Sequence, residues 1–226
     1  MCGRFANDLP KDLMQRIFRT TGPAPEWMPS WNIAPRQPAM VVRRHPASET
    51  LRLDLLLWGL VPNWAHEMGR QPINARAETV AESGMFRAAF RSRRCLVPAT
   101  AYYEWRAGPT PRQPYAFARR DGAPMALAAV WESWEHEGDI LRSFAIITTR
   151  ANDSARPIHD RMPVVIADQD RDMWFHAPPM VASTLLAPSP DAVLHAWPVG
   201  TRVNSVRNDG PDLIAPMPDG APSGPC

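Results

Sequence analysis

Lysine is nearly missing from this sequence: Lys11 is the only one among 25 basic residues, and all the others are arginine. Arginine forks onto phosphates and stacks on bases, which suits a nucleic-acid partner, but a coding bias toward arginine explains the excess equally well. The formal net charge is only +2, so bulk charge alone announces no such partner. Cysteine is scarce too. Cys2, Cys95 and Cys226 make an odd count with no CxxC spacing, which speaks against a disulfide framework and a zinc knuckle and fits a reducing compartment. Long apolar runs are lacking, and the stretch at 53–61, LDLLLWGLV, falls far short of the ~20 residues a membrane helix needs. With no apolar h-region at its start, the chain is expected to be cytoplasmic, with no membrane partner. GxGxxG and P-loop patterns are absent, and the histidines show no HxxxH or HxE spacing, so neither a cofactor nor a metal is expected.

What the sequence has in excess is proline, 26 in 226 residues, which predicts short elements joined by many rigid loops. The length fits one domain with a real core. Apolar Leu13, Ile17 and Phe18 at helical spacing, with Pro10 near the start, predict an amphipathic helix over 8–20. The segments 39–44 and 51–60, separated by HPASET, read as a β-hairpin. Two short helices broken at Ser83 and Gly84 are expected over 75–92, the second offering Arg87, Arg91, Arg93 and Arg94. From there strand signals dominate to residue 167, followed by a short helix at DQDRDMWFH and a late strand at AVLHAWPVG. The expectation is an α+β single domain, mostly antiparallel sheet, over 1–211. A loose Pro/Gly-rich tail carrying Cys226 should follow over 212–226.

The chain opens MCGRF. A methionine before a small residue is generally trimmed, and a terminal Cys2 would carry two nucleophiles on adjacent carbons, an α-amine of pKa about 7.7 to 8.0 and a thiol of about 8.5. Gly3 would then let the backbone approach a ligand closely. The competing reading is a buried small hydrophobe. Glu104 is out of place among the aromatics of AYYEWR. It is either a mundane neighbour of Arg106 on a solvated face or a desolvated carboxyl able to pass protons near neutral pH. His159, in PIHDRMPV, is either a loop histidine tied by hydrogen bonds or a proton shuttle. Asn74, Arg76 and Glu78 in INARAET suit a substrate hydroxyl and a phosphate, or ordinary capping. Trp31, Trp58 and Trp64 near Arg43 and Arg44 suit single-stranded DNA, with rings on bases and guanidiniums along the backbone. A tryptophan-rich core competes for at least half of the nine.

Taken in order, MCGRF (1–5), WNIAPRQ (31–37), WGLVPNW (58–64), NARAET (74–79), FRSRRCLVPA (90–99), YYEW (102–105), IITTRAN (146–152), HDRMPV (159–164) and VRNDGP (206–211) span nearly the whole chain. In this ordered set the sequence resembles the SOS-response-associated peptidase family. The resemblance implies a barrel-like core with short peripheral helices, and a protein that attaches itself covalently to abasic sites in single-stranded DNA. It implies Cys2 as nucleophile, Asn74 and His159 assisting, Glu104 as acid and base, and Arg4, Arg76 and Arg161 on phosphates, with Trp64 a further DNA contact. Arg36 stands where the family often has Thr or Ser, and Ala101 where Gly is common, both beside the reacting positions. The residues agree with this account. A ring-opened abasic sugar presents an aldehyde, the Cys2 amine can form a Schiff base with it, and the thiol can close a five-membered thiazolidine on the same carbon. Such a single-hit reagent needs no partner subunit, so a monomer is expected, associated with the nucleoid when bound to DNA. The rivals are an N-terminal-nucleophile amidotransferase, whose downstream Asn-Gly-Glu element is not found, a peptidase acting on its own Met1, and a non-covalent DNA-binding module.

Overall fold

The computed structural model describes residues 2–108 and 112–217. In chain order its strands and helices are β1 (Phe5–Asn7), α1 (Lys11–Phe18), β2 (Ser30–Ile33), β3 (Pro38–Arg44), β4 (Leu51–Trp58), β5 (Asn74–Arg76), α2 (Arg87–Ser92), β6 (Arg94–Ala99) and β7 (Ala101–Trp105). There follow β8 (Pro114–Arg119), β9 (Met125–His136), β10 (Asp139–Arg150), β11 (Arg161–Pro163), α3 (Arg171–His176), α4 (Pro179–Ser183) and β12 (Leu194–Pro198). As expected for a proline-rich chain, every helix is short and peripheral.

Among the described residues the strands make two sheets. One has five strands in the order β12-β8-β7-β1-β2, and the other has seven, running β11-β10-β4-β3-β6-β9 with β5 beside β10. A further pairing of β10 with β9 closes β10, β4, β3, β6 and β9 into a five-stranded barrel. The β3–β4 hairpin lies where the alternating pattern predicts it, with Arg44 opposite Leu51 and Pro38 opposite Leu57. The sheets are antiparallel except along β10, which runs parallel to both β4 and β5.

Strand alternation sorts the core. One face of the barrel strands supplies Val41, Trp58, Val97, Leu127 and Ile146 to a cluster that also takes Cys2, Phe5, Tyr102 and Phe117 from the other sheet. The opposite face, with Met40, Val42, Leu96 and Ile147, is covered by Met14 and Phe18 of α1, Phe90 of α2 and Trp174 of α3. On β7 the alternation is clean: Ala101 and Tyr103 pack away from the barrel with Val199 and Val203, while Tyr102 enters the barrel cluster.

Four expectations need correction. The first of the two helices expected over 75–92 is absent, because Asn74–Arg76 is a strand laid parallel to Ile146–Thr148 and 77–86 are turns, so only α2 forms. Arg94 is not a helical surface arginine. It opens β6 and donates to the carbonyls of Trp174 (2.6 Å), Phe90 (2.9 Å) and Ala177 (2.6 Å). Arg43, read as a DNA contact, is buried against Trp131 and paired with Asp54 at 2.7 Å, and Trp58 is fully buried in the core. Of the expected loose tail, the first part is packed: Pro211–Ile214 form a 3-10 turn with Leu213 buried, and the Met217 amide donates to Pro198. Residues 218–226, Cys226 among them, lie outside the described residues. No helix among the described residues is long and apolar enough to cross a membrane.

Candidate active site

Cys2 is placed by the strand that follows it. Phe5 pairs with Ile33 on one edge of β1 and with Tyr102 on the other, so both edges of the N-terminal strand are held, and Cys2 joins the barrel cluster, fully buried. Burial pushes its thiol far above the ordinary range. The charge of Glu104 pushes the same way, and the Arg4 backbone N–H, which donates toward the sulfur, opposes them.

Asn74 reaches the same point from β5. The parallel pairing sets Asn74 opposite Ile146, and its side-chain N–H donates to the Cys2 carbonyl at 2.9 Å. Glu104 comes from β7, on the face of Tyr102, and is only 3% exposed. Desolvation raises its carboxyl to about 7, the pKa at which a carboxylic acid both gives and takes protons in neutral solution. Its burial removes the solvated-face reading of Glu104.

His159 ends the turn that begins at Asn152, its amide donating to Ala155. Its Nδ1 accepts the Arg161 N–H at 3.0 Å, so in the neutral ring the proton sits on Nε2, which lies 3.9 Å from Glu104 Oε2. Burial lowers the imidazole pKa and keeps the ring neutral at pH 7. Asp160 Oδ1, 3.0 Å from Nδ1, is the partner awaiting the charged ring. The two readings of His159 thus meet: it is a hydrogen-bonded loop histidine and it faces the acid.

The three arginines assigned to phosphates differ in what already holds them. Arg4 donates to Asn32 Oδ1 at 2.7 Å and to the Val203 carbonyl at 2.6 Å. Asn32 is fixed in turn by donating to the Ser205 and Asn208 carbonyls. Arg161 forks onto both oxygens of Glu78, at 2.7 and 2.9 Å, and donates to the Thr148 carbonyl. Arg76 is exposed. Trp64 is 58% exposed in the loop after β4. Sequence reasoning missed Arg112, whose charge is among the influences on His159 after burial and the nearer groups. No spacing signals it, because the β7–β8 pairing brings it there. Arg106, the expected neighbour of Glu104, lies over the ring of Tyr115, the residue paired with Glu104 across the sheet.

Among the described residues no group of three or more His, Cys, Asp or Glu is arranged to hold a metal. What converges is a buried thiol, a carboxyl poised at neutral pH, a neutral imidazole and an amide that fixes the backbone beside the thiol. Such a set suits addition to a carbonyl with proton transfer.

Comparison with known proteins adds the following. The family model for SOS response associated peptidase (SRAP) matches residues 1–206. The abasic site processing protein YoqW of Bacillus subtilis is 35% identical over 223 residues, covering 95% of this chain and 99% of that protein. The abasic site processing protein YedK of Escherichia coli is 31% identical over 229 residues, covering 96% and 100%. The abasic site processing protein HMCES of Gallus gallus is 29% identical, covering 98% and 80%. A crystal structure of a Bacteroides thetaiotaomicron protein superposes with a TM-score of 0.85 at 20% identity, over 96% of this chain and all of the other, and shares the fold.

Proposed function

Since the chain belongs to the SOS response associated peptidase family, we propose that it captures abasic sites in single-stranded DNA as a covalent thiazolidine on Cys2, once Met1 has been removed. The observation that carries this reading is the meeting of Cys2, held through its carbonyl by Asn74, with the near-neutral carboxyl of Glu104. The relatives' names, abasic site processing proteins, supply the substrate class.

The chemistry balances with no outside reagent. The Cys2 amine adds to the C1′ aldehyde of the opened sugar to give a carbinolamine. Glu104, protonated, delivers its proton to the hydroxyl, which leaves as water and produces an iminium ion and a carboxylate. The neutral His159 donates from Nε2 to that carboxylate. The thiol then gives its proton back to Glu104, and the sulfur adds to C1′, closing the ring and restoring the acid. Closure is intramolecular, which favours it strongly over any second thiol. Run backward, with Glu104 or His159 protonating the ring, the same path releases the adduct slowly. Arg4, Arg76 and Arg161 would follow the phosphates, Arg161 by exchanging Glu78 for DNA, and Trp64 would take a base on its exposed ring. The protein would act as a monomer on cytoplasmic DNA, shielding the lesion from strand cleavage.

Purified protein incubated with single-stranded DNA bearing one abasic site, followed by denaturing gel and intact mass, tests the proposal. The expected product is a heat-resistant adduct weighing the sum of DNA and Met1-trimmed protein less one water. Cys2→Ala should abolish it, and Cys2→Ser should give only a borohydride-reducible Schiff base. Glutamine hydrolysis without adduct would favour the amidotransferase, and salt-sensitive binding without adduct a passive DNA-binding module.

A further inference from the structure

We infer that the Tyr102 hydroxyl is a second donor to the Cys2 sulfur at the moment it becomes anionic, completing with the Arg4 amide a small cradle for the thiolate. The inference rests on the covalent reading above. Tyr102 is the cross-strand partner of Phe5, three residues beyond Cys2, and its ring belongs to the same buried cluster as Cys2, Phe5 and Trp58. Stacking on Phe117, with centroids 4.6 Å apart and planes within 5°, pins the ring.

The hydroxyl at the end of that ring is buried and, among the described residues, has no hydrogen-bond partner. Three fully buried core aromatics differ. Tyr103 donates to the Trp31 carbonyl at 2.8 Å, Trp58 to Ile73 at 2.9 Å, and Trp174 to Cys95 at 3.0 Å. A buried unmet donor is uncommon enough in a folded protein to call for a reason. The reacting sulfur supplies one. A thiolate in this buried place is opposed by desolvation and by the like charge of Glu104, and the N-terminal positive charge and the Arg4 N–H only partly offset them. Burial pushes the Tyr102 hydroxyl pKa up, and the charges of Cys2 and Glu104 push it the same way, as expected for a phenol that shares the buried cluster of Cys2.

In the ring-closing step the S–H proton passes to the Glu104 carboxylate left by dehydration. The sulfur lone pair forms the S–C1′ bond, and the C=N π pair returns to nitrogen. The Tyr102 O–H bond is not broken. It donates while sulfur carries charge and is released when the thioether forms, so its effect falls on closure and not on Schiff-base formation.

The test is a time course with an abasic single-stranded oligonucleotide, each sample split and quenched with and without borohydride. Adduct that survives heat only after reduction is imine, and adduct that survives without it is thiazolidine. For Tyr102→Phe we expect imine at the wild-type rate, then its accumulation, with closure slowed about tenfold, as for loss of one hydrogen bond to a charged group. The melting temperature should hold or rise, since the hydroxyl removed had no partner. Tyr103→Phe, which deletes a satisfied hydroxyl on the opposite face of β7, should lower the melting temperature and leave the partition between the two adducts unchanged. Closure at the wild-type rate in Tyr102→Phe, an equal fall in both steps, or a melting temperature lowered as in Tyr103→Phe would each overturn the inference. A wild-type protein that makes no adduct at all would instead overturn the covalent reading, and this inference with it.

Discussion

Replacing Glu104 by Gln should make the protein more stable and less active, with the gain dependent on pH. The carboxyl is raised from an ordinary 4.5 to about 7 because burial disfavours its charge. An acid whose pKa is higher in the folded chain than in the unfolded one stabilises the fold while both are protonated. That contribution is lost as pH climbs from the unfolded value through the folded one. At 1.36 kcal/mol for each pH unit, the rise amounts to about 3 kcal/mol of destabilisation, complete above pH 7 and absent below pH 4.5. Glutamine keeps the shape and has no charge to desolvate. At pH 8 Glu104→Gln should therefore be more stable than wild type by up to about 3 kcal/mol, or roughly 6 to 12 °C in melting temperature for a domain of this size. At pH 4 the two should coincide. Urea unfolding at several pH values between 4 and 8 measures the difference. The same variant should lose roughly 100-fold or more in adduct formation at pH 7, the usual contribution of a positioned acid. Stability curves that run parallel across that range, or a Gln variant less stable at pH 8, would refute the claim that Glu104 is held in a desolvated and energetically unfavourable state.

Three further outcomes are expected. Asn74→Ala removes the donor to the Cys2 carbonyl and should slow adduct formation about tenfold while leaving single-stranded DNA affinity by fluorescence anisotropy unchanged. Arg94→Met strands the carbonyls of Trp174, Phe90 and Ala177 without their buried donor and should cost about 3 kcal/mol or more by urea unfolding; a loss below about 1 kcal/mol would mean the carbonyls find other partners. Trp64→Ala should weaken single-stranded DNA binding by about 1 to 3 kcal/mol and change stability by no more than about 0.5 kcal/mol, because the ring is largely exposed.

How far the sequence discloses this molecule depends on how local each signal is. The β3–β4 hairpin is legible because its alternation and turn lie within one short stretch. Glu104 is legible because a carboxylate among aromatics conflicts with its surroundings, and the structure resolves the conflict by burying it. The strand at Asn74–Arg76 is not legible. Its three residues carry no periodicity, and its pairing partner lies some seventy residues further along the chain. Arg43 misleads for a related reason: its charge reads as surface, but inside the fold it pairs with Asp54 from the neighbouring strand and lies over the Trp131 ring. Met217 and Leu213 escape notice because a Pro- and Gly-rich composition predicts looseness and says nothing of an anchor on β12.

One strand sets the spacing of much of this machinery. Along β10, Phe144 faces Trp58, Ile146 faces Asn74, Thr148 faces Arg76 and Arg150 faces Arg161. Deleting or inserting one residue within that stretch would turn successive side chains to the wrong side and carry the amide and the guanidiniums out of step with one another. Length variation between relatives should therefore accumulate in the loops and spare residues 143–150, and a library that tolerates insertions everywhere except there would be its laboratory counterpart.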